Sequence, residues 1–263
     1  MKAPAFAYAK PATLAEALEL LERPGAKALA GGQSLIPSLN MRLSAPELLV
    51  DISALPLAKI EAGKTTVRVG ALVTHARIEK SAELRARVPL LADAAPHIAH
   101  PAIRNRGTLG GSLALADPAA EYPACAIALD AVLVLESRAG RRTVKAEDFF
   151  KGLFETDLKP GELIAAAEFP AAKRGDRSAF LELARRQGDY ATVGLAVHND
   201  RAVFFGVGST PFLLRDFSSR ERARAFLEEN LSPSPDLYHS ATTKRHLAGV
   251  LLERAWNTLE TSR

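Results

Sequence analysis

Ala30-Gly31-Gly32-Gln33-Ser34-Leu35-Ile36-Pro37 and Gly107-Thr108-Leu109-Gly110-Gly111-Ser112-Leu113-Ala114 are the stretches on which the reading of this chain turns. Each sets a pair of glycines beside small hydroxyl residues. Glycine reaches backbone angles closed to other residues, so successive N–H groups can converge on one anionic oxygen. The missing Cβ also lets the backbone approach a pyrophosphate closely. Ser34, Thr108 and Ser112 add hydroxyl donors, and a helix following either loop would add a favourable N-terminal dipole. Neither stretch is the G-x-G-x-x-G of a nicotinamide-dinucleotide fold, and neither holds the lysine of a Walker loop. Singly, a Gly-Gly pair reads first as turn punctuation. Two of them, each behind an ordered segment and each rich in donors, leave punctuation and anion binding both open.

Around the first loop the pattern is strand, helix, strand, loop, helix, strand. Leu14, Ala17, Leu18 and Leu21 share one helical face behind Thr13, and Glu16 completes a capping box with it. Pro24-Gly25 ends that helix, and Leu48 to Ile52 reads as a closing buried strand. Around the second loop, Val67-Arg68-Val69-Gly70 alternates like a strand, and Pro89 to Ala95 reads as a short helix opened by its proline. Polar and glycine residues dominate from His97 to Glu121. A helix over 123–129 and a strand over 132–135 follow. The last segment shows strand-like runs at 180–183, 193–197 and 203–207, a tight hairpin at Asn199-Asp200-Arg201, and helices over 223–230 and 240–259. Strands followed by helices predict an α+β layer with helices on one face of a sheet.

Composition narrows the chemistry. The chain has 263 residues, 48% of them hydrophobic and 24% charged, with a formal charge of +4. It opens without the apolar run of a secretory signal, and no apolar stretch is long enough for a membrane span, so a cytoplasmic location is expected. The basic group Arg215, Arg220, Arg222 and Arg224 lacks interleaved aromatics and reads as a solvated helical face rather than a nucleic-acid surface. The single cysteine, Cys125, excludes an internal disulfide and an iron–sulfur cluster held by this chain alone. Set among Ala124, Ala126 and Ile127, it reads as a buried helix residue. His97 and His100 have no acidic or cysteine partner nearby and read as polar surface residues rather than metal ligands. Ser34 lacks a nucleophile elbow. No catalytic residue and no metal site is expected on this chain.

The order of motifs along the chain then matters. The first loop continues through Met41-Arg42 and Pro46 to Leu49-Val50-Asp51-Ile52. The second is preceded by Ile103-Arg104-Asn105-Arg106 and followed by Asp117-Pro118-Ala119-Ala120-Glu121-Tyr122-Pro123-Ala124. Arg185 to Ala191 and Lys244 to Leu251 complete the set. In this order and over nearly the whole chain, they resemble the FAD-binding medium subunits of molybdenum hydroxylases of the carbon monoxide dehydrogenase and xanthine dehydrogenase type.

The resemblance implies a two-part FAD-binding domain of the vanillyl-alcohol oxidase type, residues 1–54 and 55–171, and a C-terminal α+β domain, residues 172–263. It implies FAD contacts at Ala30, Gly31, Gly32, Gln33, Ser34 and Leu35 in the first loop. In the second they fall at Ile103, Thr108, Gly110, Gly111 and Ser112. Asp117 and Glu121 become candidates to accept a hydrogen bond from a ribityl hydroxyl, with helix capping ahead of Pro118 as the plainer role for Asp117. Tyr190 resembles the aromatic residue that lies near the flavin ring. The partners implied are a molybdopterin-binding large subunit and a small subunit with [2Fe–2S] clusters, in a heterotrimer that pairs into a dimer, with an external electron acceptor. Gln33 stands where close relatives commonly have histidine, Glu121 where aspartate is frequent, and residues 198–237 are shorter than the family norm. Two other classes stay open: a free-standing flavin oxidoreductase, and a structural partner that has lost FAD.

Overall fold

The computed structural model describes residues 2–215 and 217–261. The first part is the expected strand–helix alternation: β1 (Ala7–Ala9), α1 (Leu14–Leu21), β2 (Ala26–Leu29), α2 (Leu35–Asn40) and β3 (Leu48–Asp51). β3 lies between β1 and β2, pairs with both in parallel, and is buried along its length, as a central parallel strand should be. Thr13 caps α1 by accepting the Glu16 amide at 3.2 Å. Glu16 reaches back one residue further than a capping box requires, to the Ala12 amide at 2.9 Å. Ala17, Leu18 and Leu21 are the buried face.

The second part starts with β4 (Ile60–Ala62) and β5 (Thr66–Gly70), then α3 (His75–Lys80), α4 (Ala82–Arg87) and α5 (Pro89–Ala94). The stretch expected as a polar glycine loop in fact holds two helices, α6 (Pro101–Arg104) and α7 (Leu109–Leu115). Thr108 caps α7 by accepting the Gly111 amide at 3.1 Å, and Leu109 and Leu113, four apart, bury one face. That cap and that face outweigh two glycines in the first turn. Then come α8 (Glu121–Ala128), β6 (Val132–Ser137), β7 (Gly140–Lys145), α9 (Ala146–Phe149), β8 (Phe150–Gly152), β9 (Glu155–Thr156) and β10 (Leu163–Pro170). β10 completes a five-stranded sheet of order β4-β5-β10-β6-β7. Its Leu163 and Ala165 also join the apolar cluster of the first part, so the two parts share a wall.

The last part is a four-stranded antiparallel meander: β11 (Ser178–Ala184), β12 (Ala191–His198), β13 (Arg201–Phe205) and β14 (Phe212–Leu214), followed by α10 (Arg220–Asn230) and α11 (Ala241–Thr261). β14 has no strand signal in the sequence reading. Asn199, at φ 53°, turns the predicted hairpin. Val193, Leu195, Val197 and Phe204 pack with Leu227, Leu251, Leu252 and Ala255 of the two helices. The opposite face, with Phe180, Ala196, Val203 and Phe205, joins the central cluster of α5 and α8. The arginine group lies on the solvated side: Arg220 pairs with Glu253 at 3.4 Å and Glu260 at 3.2 Å, Arg224 with Glu228 at 3.0 Å, and Arg215 with Glu147. Among the described residues, no helix is long and apolar enough to cross a membrane.

Gly194 sets the spacing of the central interface. A Cβ there would lie 1.9 Å from the Phe205 ring, so that ring lies flat only over a residue without a side chain. Gly194→Ala is expected to cost about 1–3 kcal/mol by overpacking, read as a lower urea midpoint with an unchanged slope.

Candidate functional site

The parts meet around a cleft of about 550 Å³, within the range of small-molecule sites. Gln33, Ser34 and Leu35 line it from the first loop. Ile103, Thr108, Gly110, Gly111 and Ser112 line it from the second, Asp117 and Glu121 from the approach to α8, and Tyr190 from the last part. Ala30, Gly31 and Gly32 are not part of this lining. Gly31 instead packs the loops together, since a Cβ there would lie 2.0 Å from the Arg106 carbonyl oxygen.

The two loops differ in what they offer. In the first, Gly32 takes φ 72°, and Gln33 Nε2 donates to the Gly31 carbonyl at 3.1 Å. The amides of Gly32, Gln33, Ser34 and Leu35 donate to no acceptor among the described residues. Of these residues, Gln33, Ser34 and Leu35 line the cleft. In the second, the amides of Leu109 to Ser112 are already used. Leu109 donates to Val73 (3.0 Å), Gly110 to Ala71 (2.8 Å) and Ser112 to Thr108 (3.0 Å), while Gly111 donates to the Thr108 hydroxyl. Unused amides are therefore concentrated in the first loop. The glycines of the second loop serve packing. A Cβ on Gly110 would lie 2.4 Å from that of Ala71, and one on Gly107 would lie 2.6 Å from the His75 ring. What the second loop can still donate are the Thr108 amide, which has no acceptor among the described residues, and the Thr108 and Ser112 hydroxyl protons.

A buried arginine supports the rim. Arg104 pairs with Glu79 at 2.9 Å and donates to the carbonyls of Ile98 at 3.0 Å and Ala99 at 2.9 Å. Ala99 is held at φ 41°, a conformation alanine adopts only when its surroundings impose it. Gly188, at φ 84°, sits on this turn, and a Cβ there would lie 2.7 Å from the Ala99 oxygen. Tyr190 follows two residues later. It is 72% exposed, on the loop entering β12 rather than on the sheet. Phe154, at the tip of the β8–β9 hairpin, is a second exposed aromatic on the lining.

The acids of the site are shielded to different degrees, Glu121 buried and Asp117 half-buried. Glu121 is the first residue of α8. Burial, with a smaller push from Asp117, lifts its carboxyl to about 7. Burial also raises Asp117, whose Oδ1 accepts the Ala119 amide at 2.9 Å. Asp117 thus holds the turn ahead of α8 and does not cap the helix, whose cap position is Ala120. Behind Glu121 lies Glu182 of β11, its side chain 3% exposed, with no hydrogen-bond partner for Oε2 among the described residues. Burial first, and Glu121 second, push it up to about 8. His75 lines the cleft and is pushed down to about 4, mainly by burial, so it is neutral near pH 7. Burial also raises the Cys125 thiol, which leaves it unreactive.

Sequence reasoning missed His75, Phe154 and Glu182. The signal for Glu182 was present as a carboxyl placed in step with Phe180 along a strand. His97, in a turn after α5, meets the Phe180 ring at a tilt, centroids 4.9 Å apart, whereas His100 precedes α6 and lines the cleft.

Comparison with known proteins identifies the family. Residues 4–172 match the family described as FAD binding domain in molybdopterin dehydrogenase. The chain is similar to the 6-hydroxypseudooxynicotine dehydrogenase complex subunit alpha of Paenarthrobacter nicotinovorans, at 38% identity over 97% of this chain and 94% of that one. It is similar to the carbon monoxide dehydrogenase medium chain of Hydrogenophaga pseudoflava, at 37% identity over 97% and 96%. A solved structure of carbon monoxide dehydrogenase from Hydrogenophaga pseudoflava superposes with a TM-score of 0.94, at 36% identity over 99% of both chains.

The buried acids make stability depend on pH. A carboxyl raised from 4.5 to about 8 keeps its proton longer in the folded chain. Its contribution is complete below about 4.5 and is lost as pH rises through about 8. Glu121 acts in the same sense, and His75 in the opposite sense at lower pH. Thermal melts from about pH 5 to 9 are expected to fall more steeply for the native chain than for Glu182→Gln, by an amount worth a few kcal/mol at the alkaline end. Parallel curves would show that Glu182 ionises normally.

Proposed function

Because this chain belongs to the family of FAD-binding domains of molybdopterin dehydrogenases, we propose that it is the electron-relaying subunit of a molybdenum hydroxylase. In this reading it takes electrons from [2Fe–2S] clusters of a small partner subunit, while hydroxylation occurs on a molybdopterin-binding large subunit. The electrons leave through bound FAD to an external acceptor, and the three subunits form a heterotrimer that pairs. The observation that carries the reading is the cleft where a loop of unused amides, two hydroxyls, a buried and a half-buried acid and an exposed tyrosine meet.

The residues fit the cofactor in kind. The amides of Gly32 to Leu35, with the hydroxyls of Ser34, Thr108 and Ser112, suit the pyrophosphate. Asp117 and Glu121 suit the ribityl hydroxyls; Glu121, titrating near 7, can accept or donate. Ile103 and Leu35 supply apolar wall, Ala30 and Gly31 keep the loops in contact, and Tyr190 and Phe154 can cover the ring and limit the access of water. Residues 1–54 and 55–171 act as the two halves of the flavin unit, and residues 172–263 close it and face the partners. When bound, FAD supplies two-electron chemistry coupled to proton uptake, so the chain itself needs no nucleophile.

The test is the visible spectrum of the purified chain after addition of FAD and desalting. The native chain is expected to keep a flavin band. Gly31→Val, which drives a side chain into the Arg106 carbonyl, is expected to weaken binding at least about tenfold, or ~1.4 kcal/mol. Gly249→Ala, a site with open space in α11, serves as a control and should keep the band. A native chain that holds no flavin, alone or co-expressed with its partners, would overturn the proposal.

A further inference from the structure

Behind the acidic wall of the cleft stands a carboxyl that flavin binding leaves unused. Glu182 pairs in register with Gly194, so the residue opposite it carries no side chain, and the alternation of β11 turns it inward with Phe180. A buried carboxyl without a cation is an expensive arrangement unless it keeps its proton. The titratable groups facing it come from every element packed there. His97 Nδ1, from the turn after α5, is 3.9 Å from Glu182 Oε2. Asp93 of α5 interacts with His97. Glu121 and Cys125 come from α8, with Asp117 beyond Glu121 on the cleft side. No lysine or arginine pairs with Glu182 among the described residues.

Glu182 has His97 on one side, and Glu121, whose charge acts on it, belongs to the cleft wall. His97 keeps a third of its side chain exposed and marks the solvent end, Glu182 is the buried middle, and Glu121 lines the cleft. We propose that Glu182 and Glu121 form a two-carboxyl proton store, which gives a proton to the reduced cofactor in the cleft and recovers one from solvent through His97. The inference rests on the flavin reading above. The O–H bond of Glu121 breaks as its proton passes to the cofactor, which has received its electrons from the partner's clusters. The proton of Glu182 then moves to Glu121, and a proton from water at His97 restores Glu182. No electron passes through these side chains, and the store ends unchanged. Both acids titrate near neutrality, which lets each hold and release a proton under the same conditions. Glu121 touches the cofactor site; Glu182 acts through it.

The experiment uses the full chain loaded with FAD. The flavin midpoint potential is measured against pH, alongside the infrared difference between oxidised and reduced forms. The native chain is expected to show an inflexion between about pH 7 and 8 and a redox-linked band from a protonated carboxylic acid. Glu182→Gln should shift the inflexion and lose part of the band while keeping the flavin absorption, and Glu182→Asp should keep a shifted band. The same potential curve in native chain and Glu182→Gln, with flavin retained, overturns the store and leaves the flavin reading intact. Should Glu182→Gln fail to fold, absence of a carboxylic band in the native chain overturns it alone. A chain that binds no flavin overturns both.

Discussion

Gly31 and the Arg106 carbonyl meet where a single Cβ would fall 2.0 Å from the oxygen, and the cleft is built outward from that approach. The residue after Arg106 is Gly107, whose carbonyl accepts the His75 amide at 3.0 Å and whose missing side chain admits the His75 ring. Gly110 then lies on Ala71, and its amide donates to the Ala71 carbonyl at 2.8 Å. The first loop, the second loop and the β5–α3 connection are thus stacked without room for side chains between them. Such a floor is set before a ligand arrives, so little ordering entropy is lost on binding.

Above that floor, a second chain of contacts carries the rim. Glu79 fixes Arg104, Arg104 holds the carbonyls of Ile98 and Ala99, and the turn at Ala99 seats Gly188. Tyr190 owes its place to these residues far away in sequence. The interior of the last sheet adds its own constraint. With no side chain on Gly194, Phe205 lies flat, and Glu182 is left among aromatic and aliphatic neighbours. The acidity of the cleft wall is therefore set partly by a strand that lies outside it.

Much of this was legible residue by residue. The spacing of Leu14, Ala17, Leu18 and Leu21 named α1, Pro89 named the start of α5, and Asn199-Asp200-Arg201 named the β12–β13 hairpin. α7 was hidden because Gly110-Gly111 is a strong turn signal locally. Its helix depends on burying Leu109 and Leu113 in a core assembled from other segments. β14 was hidden for the same reason, since its three residues are a strand only by pairing with β13. Of the expected site residues, most line the cleft, and the exceptions, Ala30, Gly31 and Gly32, are where the backbone must come closest to its neighbours.

The order of amino acids settles elements such as α1, α5 and the β12–β13 hairpin, where the two glycine loops fall and which family they mark. Those properties depend on nearest neighbours, on apolar period and on motif order, all of which are local. Packing settles which groups of those loops stay available and how the acids behave. Loop amides are free or committed according to whether Val73 and Ala71 reach them. Glu121 and Glu182 hold protons near neutral pH because distant strands and helices strip them of water. Hydrogen bonding and solvation belong to atoms in contact, and contact across the chain arises only on folding.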